Sequence, residues 1–314
     1  MDARHQFIGT RLINMIRFCR TCVIPNTRPN GHFGPSGSCS ACEFASSVTH
    51  EAMLRRRDEL RAIVERKVSK SASDWDAVLG VSGGKDSTRQ AVWLREQLGL
   101  NLLLVNVAYP ARQSANVGFR NLENLVELGF DIRQVKPSPG AARLLFSEGL
   151  ARFGNAFKAS EMALFSAPQR IAIEHGIPII FLGENPALQV GDFATLGEGI
   201  WDGNRIRWSN TLGGGSRSWF EETLGKDNPQ LEVYRYPTVE ELRDADVDTL
   251  YMGPAVDRWG NTENATAALL RGFTRVSDGR ERGDLYGTEM IDEDLQTINF
   301  IIKYYKFGFN RGSE

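Results

Sequence analysis

Residues 82–87 carry the side chains and the spacing that most directly indicate chemistry. They read Ser-Gly-Gly-Lys-Asp-Ser and follow an apolar stretch, 77–81, that is typical of a buried strand. Glycines permit a tight turn and leave backbone N–H groups open to an anion, and a helix that begins here adds the positive end of its dipole. The pattern therefore predicts a phosphate-binding loop between a strand and a helix.

This loop is not of the Walker type. A Walker loop needs Gly, four residues and then Gly-Lys-Ser/Thr, whereas Lys85 precedes Asp86 and Leu79 stands where the first glycine is required. The loop instead resembles the SGG-x-DS loop of the PP-loop ATP pyrophosphatases, which cleave ATP between the α and β phosphates. The resemblance implies that Lys85 neutralises phosphate charge and that Asp86 places Mg²⁺. It implies ATP contacts from Val81, Ser82, Gly83, Gly84, Lys85, Asp86 and Ser87.

All four cysteines lie near the N-terminus. Cys19 and Cys22 are followed, after sixteen residues, by Cys39 and Cys42. Two C-x-x-C pairs at this separation are typical of a structural zinc site with four thiolate ligands. The alternatives are two disulfides, which a reducing cytosol disfavours, and a redox or iron–sulfur site. The intervening loop is rich in Pro, Gly and Asn, so we expect Zn²⁺ to supply much of its stability.

The composition excludes several classes of protein. The formal net charge is −2 and the sequence pI is about 6.2, which argues against a polybasic nucleic-acid-binding module. No apolar run approaches the ~20 residues of a membrane span, and the N-terminus lacks the apolar core of a signal peptide. We therefore expect a cytoplasmic protein with no membrane span and no nucleic-acid partner.

Apolar strand patterns alternate with helical patterns after the cysteine pairs, which predicts an α/β fold with a doubly wound parallel sheet. We expect strands at 77–81, 102–108, 131–136, 178–184 and 249–253, and helices at 87–98, 116–128, 139–153, 160–175 and 290–306. The expected organisation is an N-terminal extension (1–16), a zinc-binding knuckle (17–50), a linking helix (51–72) and the α/β domain (73–314). Residues 187–230 form either a long surface excursion or a lid.

Ligands of such sheets bind outside the carboxyl ends of the strands, near the switch in strand order. The 82–87 loop lies at one such end, and Gly183, Glu184 and Asn185 lie at another, so we expect them to face one pocket. Gly183 is counted with the ATP site. Asn106 ends the second strand and is expected near the adenosine.

The absence of cysteine after Cys42 bears on the nucleophile that displaces AMP from an adenylate. Sulfur transfer commonly uses catalytic cysteines or a cluster in the ATP-binding domain, whereas amidation uses ammonia. The sequence therefore favours nitrogen. A glutaminase normally needs a nucleophilic Cys with a His partner, so ammonia is expected from a separate chain.

A closer resemblance is carried by FCRTCVIPNTRPN, SCSAC, GVSGGKDS, VGFRNLENLVELGFD, IPIIFLGENPA and YYKFGFNRG. Together these segments resemble the N-acetyl sugar amidotransferases of bacterial surface-polysaccharide pathways, which include lipopolysaccharide O-antigen and pseudaminic or legionaminic acid synthesis. The resemblance implies the adenine nucleotide alpha hydrolase (PP-loop) fold and the conversion of a sugar acetamido group to an acetamidino group. Ammonia would come from a glutaminase subunit and a cyclase-like subunit similar to those of imidazole glycerol phosphate synthase.

Four residues are the expected catalytic set: Lys85, Asp86, Glu184 and Asn185. Glu184 would be a second contact to the metal ion or would orient the amide, and Asn185 would be a hydrogen-bonding partner. Asn121 matches a family position without an assigned role. If the sugar is an acid, its carboxylate calls for arginine, and the candidates are Arg205, Arg207, Arg217, Arg235, Arg258 and Arg311.

Two rival functions remain open. The first is a tRNA-thiolating enzyme that uses the same ATP chemistry. The second is a zinc-knuckle binding module that only senses ATP.

Overall fold

Five short strands form one sheet in which every neighbouring pair is parallel. They are β1 (Ala77–Gly80), β2 (Leu102–Val107), β3 (Asp131–Val135), β4 (Ile179–Leu182) and β5 (Asp248–Tyr251), in the spatial order β3-β2-β1-β4-β5. The computed structural model describes residues 16–27, 33–110, 113–190, 193–197, 199–276, 287–289, 291 and 293–308. The strand order reverses between β1 and β4, so their carboxyl ends flank the switch point.

Helices cover both faces of the sheet, which confirms the predicted doubly wound α/β class. On one face Val78 and Leu103 pack with the helices at Pro139–Phe153 and Lys158–His175, and on the other Leu79 and Leu104 pack with those at His50–Val68, Lys85–Leu98 and Asn116–Glu127. The helices among the described residues are α1 (Ser40–Ser47), α2 (His50–Val68), α3 (Lys85–Leu98), α4 (Asn116–Glu127), α5 (Pro139–Phe153), α6 (Lys158–His175), α7 (Pro186–Val190), α8 (Phe193–Leu196), α9 (Ser218–Leu224), α10 (Val239–Asp244), α11 (Asn261–Leu269) and α12 (Gln296–Phe307).

Local sequence accounts for the ends of several helices. Ser138 caps α5 by accepting a hydrogen bond from the Ala141 N–H (3.3 Å), Pro139 occupies the first turn, and Gly154 ends the helix in the left-handed conformation. The last helix differs from its prediction, because α12 begins at Gln296 rather than at 290.

The described part of the 187–230 segment is not a structureless loop on the surface. It forms short helices, including 3-10 turns at Asn204–Trp208, Gly213–Gly215 and Pro229–Tyr234, and the side chains of Trp219, Phe220 and Tyr234 are buried in the core beside α6. Phe220 stacks on Tyr234 with 5.0 Å between ring centroids. Burial of several large aromatic side chains outweighs the local glycine content, because each removes a large apolar area from water.

Among the residues that the structure describes, no helix combines the length and the apolar character that crossing a bilayer requires. His32 and Arg311 lie outside the described residues.

Candidate functional site

Residues 82–87, which the sequence predicts to bind phosphate and which we call the phosphate-type loop, connect β1 to the start of α3 at the switch point. Gly83 has φ +86°, and a Cβ added there would lie 2.9 Å from the Gly118 carbonyl oxygen, so only glycine fits without strain. The Gly84 N–H donates to Ser82 Oγ (3.1 Å). Gly84 is the N-cap of α3, which therefore begins at Lys85, two residues before the predicted start. The positive end of the α3 dipole therefore lies at this loop.

Lys85 is the buried cation of this site. Its side chain is 3% exposed, and Nζ pairs with Asp86 (2.7 Å) and with Glu289 (2.8 Å). Burial opposes the charge on Lys85, but the two carboxylates outweigh burial and raise its pKa. The ammonium group is therefore held charged beside the loop.

A hydrogen-bond network connects Asp86 to a distant loop. Asn264, which is buried on α11, donates to Asp86 Oδ1 and accepts from Arg89 Nη1. Arg89 lies one turn along α3 from Lys85 and also donates to the backbone carbonyls of Asp257 and Arg258, the latter at 3.0 Å. Both Asp86 and the 257–259 loop are thus fixed by Arg89 and Asn264.

Glu184 and Asn185 follow β4 and play different parts. The Glu184 side chain still reaches solvent, yet many protein atoms surround it, and this partial desolvation raises its pKa, with the Asp86 charge as a further cause. Trp259 donates a hydrogen bond to Glu184 and acts in the opposite direction. Glu184 therefore lies within the electrostatic field of the phosphate-type loop.

Asn185 is buried and its amide is fully used by its own chain. It caps α7 by accepting from the Ala187 N–H (2.9 Å), and it donates to the carbonyls of Gly199 (3.1 Å) and Ile200 (3.2 Å). Gly183 lies against α3, where an added Cβ would lie 2.1 Å from Gln90 Nε2. In this structure Asn185 positions the backbone that carries Glu184.

Two further asparagines from the sequence are structural braces here. Asn106 is 3% exposed, donates to the Val81 carbonyl (2.8 Å) and accepts from Gln134 (2.9 Å), so it joins the ends of three strands. Asn121 is fully buried and exchanges two hydrogen bonds with the backbone of Thr274.

Two cavities adjoin this region. The strand-end cavity has a volume of about 650 Å³ and lies beyond the ends of β2 and β3, with Tyr109, Gln113, Arg143, Phe146 and Ser160 in its lining. The knuckle cavity has a volume of about 580 Å³ and lies between the start of α2 and the loops after β4 and β5; Glu184 and Asn185 line it. Both volumes are within the usual range of small-molecule sites.

The structure separates the candidate arginines. Arg258 lines the knuckle cavity beside Glu184. Arg207 is buried under the Tyr236 ring, and Arg205 donates to the Thr195 carbonyl. Arg217 and Arg235 each pair with Glu232, and their second carboxylates are Glu221 and Glu241 respectively. Of the five described candidates, only Arg258 lines either of the two cavities described above.

The four cysteines converge as predicted. The Sγ atoms of Cys19, Cys22, Cys39 and Cys42 all lie within 4.8 Å of one another, and those of Cys22 and Cys39 are 3.7 Å apart. Tetrahedral coordination with Zn–S bonds of about 2.3 Å separates sulfur atoms by ~3.8 Å, so the cluster fits zinc. Burial opposes a thiolate at Cys19, but N–H donors from Cys22, Cys39 and Thr21 prevail and lower its pKa to about 6.

Three residues of the site were not found from the sequence: Arg89, Asn264 and Glu289. Arg89 carried a usable signal, because its spacing of four from Lys85 places both on one side of a helix. Asn264 and Glu289 are each more than 170 positions from Lys85 and Asp86 in the chain, and no local sequence pattern indicates that they belong to the site.

Comparisons with known proteins give distant likenesses only. No protein-family model matches the chain, and no curated protein matches it. An NH3-dependent NAD synthetase from Campylobacter jejuni in complex with nitrate is 16% identical with a TM-score of 0.35; the match covers 47% of this chain and 61% of that chain. An NMN synthetase from Francisella tularensis is 16% identical with a TM-score of 0.33; the match covers 82% of this chain and 87% of that chain. The U34-tRNA thiolase NcsA from Methanococcus maripaludis, solved with its 4Fe-4S cluster, is 14% identical with a TM-score of 0.27. That match covers 92% of this chain and 88% of that chain. These likenesses do not assign an activity to the chain.

Proposed function

We propose that the protein is an ATP-dependent amidotransferase that converts a sugar acetamido group to an acetamidino group, as the sequence resemblance implies. The observation that carries the proposal is the Ser-Gly-Gly-Lys-Asp-Ser loop, which lies at the switch point with its lysine buried and charged. Such a loop offers backbone amides, a helix dipole and a fixed ammonium group to one phosphate chain.

ATP would bind with its pyrophosphate portion on Ser82, Gly84, Lys85 and Ser87. The strand-end cavity would hold the adenosine, because β2 pairs directly with β1 and its carboxyl end leads into this cavity. Its lining is mainly apolar with a few polar groups, as adenine sites require. Asn106 would support this arrangement by joining the strand ends.

In the first step the acetamido oxygen forms a bond to the α-phosphorus of ATP. The bond between the α-phosphorus and the oxygen that bridges it to the β-phosphate breaks, and pyrophosphate leaves. Ammonia then attacks the imidate carbon, the bond from that carbon to the adenylate oxygen breaks, AMP leaves, and the nitrogen loses a proton. Lys85 stabilises the charge that develops on the phosphate oxygens. Lys85 contacts Asp86 and Glu289 before ATP binds, so the phosphates would replace part of this ion pairing.

The residues also fit a divalent cation. Asp86 and Glu184 are oxygen donors at the open edge of the sheet. Desolvation is the main cause of the raised pKa of Glu184 and the Asp86 charge adds to it; a shared cation would relieve this repulsion. Bound Mg²⁺ would supply charge neutralisation on the phosphates.

Nitrogen is the favoured nucleophile because every cysteine of the sequence lies in the four-thiol cluster. No cysteine lines either of the two cavities described here. Ammonia would then come from the separate glutaminase and cyclase-like subunits. Since ATP and such subunits are cytoplasmic, we expect the reaction to take place there.

The test is to incubate the zinc-loaded protein with ATP, Mg²⁺, ammonium and a series of acetamido sugars, and to measure AMP, pyrophosphate and the sugar mass. We expect AMP to form only with an acceptor, and one sugar to exchange an oxygen atom for an NH group. Asp86→Asn should abolish this reaction. The matched control Asp58→Asn, whose side chain is 76% exposed on α2, should not.

Two results would reject the proposal. AMP formation with tRNA but with no acetamido sugar would favour the thiolating branch. ATP binding without pyrophosphate release under any of these conditions would favour an ATP-sensing module.

A further inference from the structure

We propose that the knuckle cavity is the acceptor site, so that the zinc knuckle forms one wall of the pocket that holds the sugar. The chemical identity of the ligand, an acetamido sugar, rests on the proposed function, whereas the location of its site rests on the structure. The cavity is bounded on one side by Phe44, His50 and Met53 from α1 and α2 and on the other by Glu184 and Trp259.

The position of this cavity suits an acceptor that must reach the α-phosphate. Glu184 lines the cavity, and the charges of Asp86 and Lys85 both act on its carboxylate. A ligand here would therefore approach the phosphate-type loop from the side of β4 and β5. The strand-end cavity lies on the β2 and β3 side of the same edge. The two reactants would thus meet over Lys85 from opposite sides.

The lining matches a sugar ring that carries an amide. Phe44 and Trp259 provide aromatic faces for the C–H side of a ring, and Met53 and Pro254 extend the apolar surface toward an acetamido methyl group. His50, Glu184 and Arg258 provide donors and acceptors for hydroxyl groups. A long phosphate chain fits less well, because Glu184 and Asp257 place two carboxylates against a single lining arginine.

The backbone around Arg258 supports a functional role for this wall. Arg258 has φ +47°, which is rare for a residue with a side chain and persists only where the surroundings hold it. Arg89 holds it here, through hydrogen bonds to the carbonyls of Asp257 and Arg258. Since Arg89 also contacts Asn264, which holds Asp86, the acceptor wall and the catalytic aspartate share one network.

The arrangement gives the zinc knuckle a task beyond its own stability. The helix that supplies Phe44 begins at Ser40, directly after Cys39, and it contains Cys42. Zinc coordination therefore fixes the first turn of α1, and with it the distance between Phe44 and Trp259. Loss of zinc should remove acceptor binding while ATP binding persists.

Saturation-transfer NMR on the full zinc-loaded chain tests the location. The probes are methyl N-acetylglucosaminide and N-acetylneuraminic acid, one neutral and one anionic, both with an acetamido methyl group. We expect saturation of that methyl group with wild-type protein for at least one probe, and affinity about tenfold weaker in Phe44→Ala and in Trp259→Ala. Binding of α,β-methylene-ATP should change by less than about twofold, since neither residue lines the strand-end cavity.

Two aromatic residues outside the cavity serve as controls. Phe18 belongs to the knuckle and is 59% exposed, and Trp208 is 52% exposed; neither lines the cavity. Phe18→Ala and Trp208→Ala should leave probe affinity unchanged, with zinc content measured in every variant. Equal losses in Phe18→Ala and Phe44→Ala, or no saturation of either probe, would overturn the proposed location.

The failure of this inference is distinguishable from failure of the proposed function. If an acetamido sugar is amidated but Phe44→Ala and Trp259→Ala leave its KM unchanged, the cavity is not the acceptor site and the function stands. If either probe binds in a manner that depends on Phe44 and Trp259 but no AMP forms with any acetamido sugar, the cavity binds sugar and the amidotransferase activity is rejected.

Discussion

Replacement of Lys85 by methionine tests the ion pair at the centre of the site. Lys85 is 3% exposed, and its two partners differ: Asp86 is 38% exposed, whereas Glu289 is 14% exposed. In Lys85→Met the Asp86 carboxylate keeps its contact with water and its hydrogen bond from Asn264. Most of the cost therefore arises from Glu289, which loses the ion pair with Lys85 at a largely buried position. Removal of one partner of a buried pair typically costs 3–5 kcal/mol, and we expect about 3 kcal/mol because Glu289 retains some contact with water.

The double variant separates pairing from packing. Glu289→Gln alone should cost about 1 kcal/mol, since Lys85 still pairs with Asp86. Lys85→Met combined with Glu289→Gln should recover about 2 kcal/mol of the loss, because a neutral amide then replaces the carboxylate that has lost its ion pair with Lys85. The recovered protein should still fail to release pyrophosphate, since the cation for the phosphates is absent. Stability would thus return without activity.

Urea unfolding followed by tryptophan fluorescence and circular dichroism is the appropriate assay. Lys67→Met is the matched control, because Lys67 also pairs with two aspartates, Asp246 (2.6 Å) and Asp248 (2.8 Å), but these are 77% and 46% exposed. Loss of such a surface pair should cost under about 1 kcal/mol. Equal destabilisation by Lys85→Met and Lys67→Met, or no recovery in the double variant, would refute the reasoning.

The pH dependence gives a second check on the same pair. The pKa of Lys85 is raised in the folded protein, so its contribution to stability is complete below the unfolded value and is lost as the pH rises through the folded value. The difference between wild type and Lys85→Met should therefore be constant near neutral pH and shrink only in alkaline solution.

Three further predictions concern the loop, the β4 end and the knuckle. Gly83→Ala should destabilise the fold by about 1–3 kcal/mol and weaken ATP binding. Its φ of +86° disfavours a side chain, and the new Cβ would lie 2.9 Å from the Gly118 carbonyl oxygen. Gly140→Ala is the control, because nothing lies within 4 Å of a Cβ added there. If ionised Glu184 is required, kcat/KM should fall on the acid side at a pH above the ordinary pKa of glutamate. Trp259→Phe should move this fall to still higher pH, because the carboxylate loses a hydrogen-bond donor. An unchanged pH profile in Trp259→Phe would contradict this role of Glu184. Chelation of zinc should lower the first thermal unfolding transition and leave ATP binding intact, whereas an unchanged transition would show that the four thiols do not hold a stabilising metal.

Much of the fold was predictable because the signals are local. Buried parallel strands read as continuous runs of Val, Ile and Leu, and the predicted strands differ from the observed ones by at most two residues at either end. The start of α3 was placed two residues late, because Gly84, rather than a side-chain cap, begins the helix. The 187–230 segment differs from its prediction for another reason. Its glycines indicate a loop, but the burial of Trp219, Phe220 and Tyr234 depends on the surface of α6, which no local window contains.

The sequence by itself determined the phosphate-type loop, the four-cysteine cluster and the positions of the strands along the chain, since each depends on residues that are close in the chain. Only the tertiary structure decided what surrounds them. It brought Glu289 to Lys85 and Asn264 to Asp86, and it used the side chains of Asn106 and Asn185 to hold backbone segments together. It also placed Arg258 at the knuckle cavity, whereas the other described candidate arginines line neither the knuckle cavity nor the strand-end cavity. The physical reason is that buried polar groups must find partners wherever the packed chain supplies them, and the packing of sheet and helices selects those partners without regard to their separation in sequence.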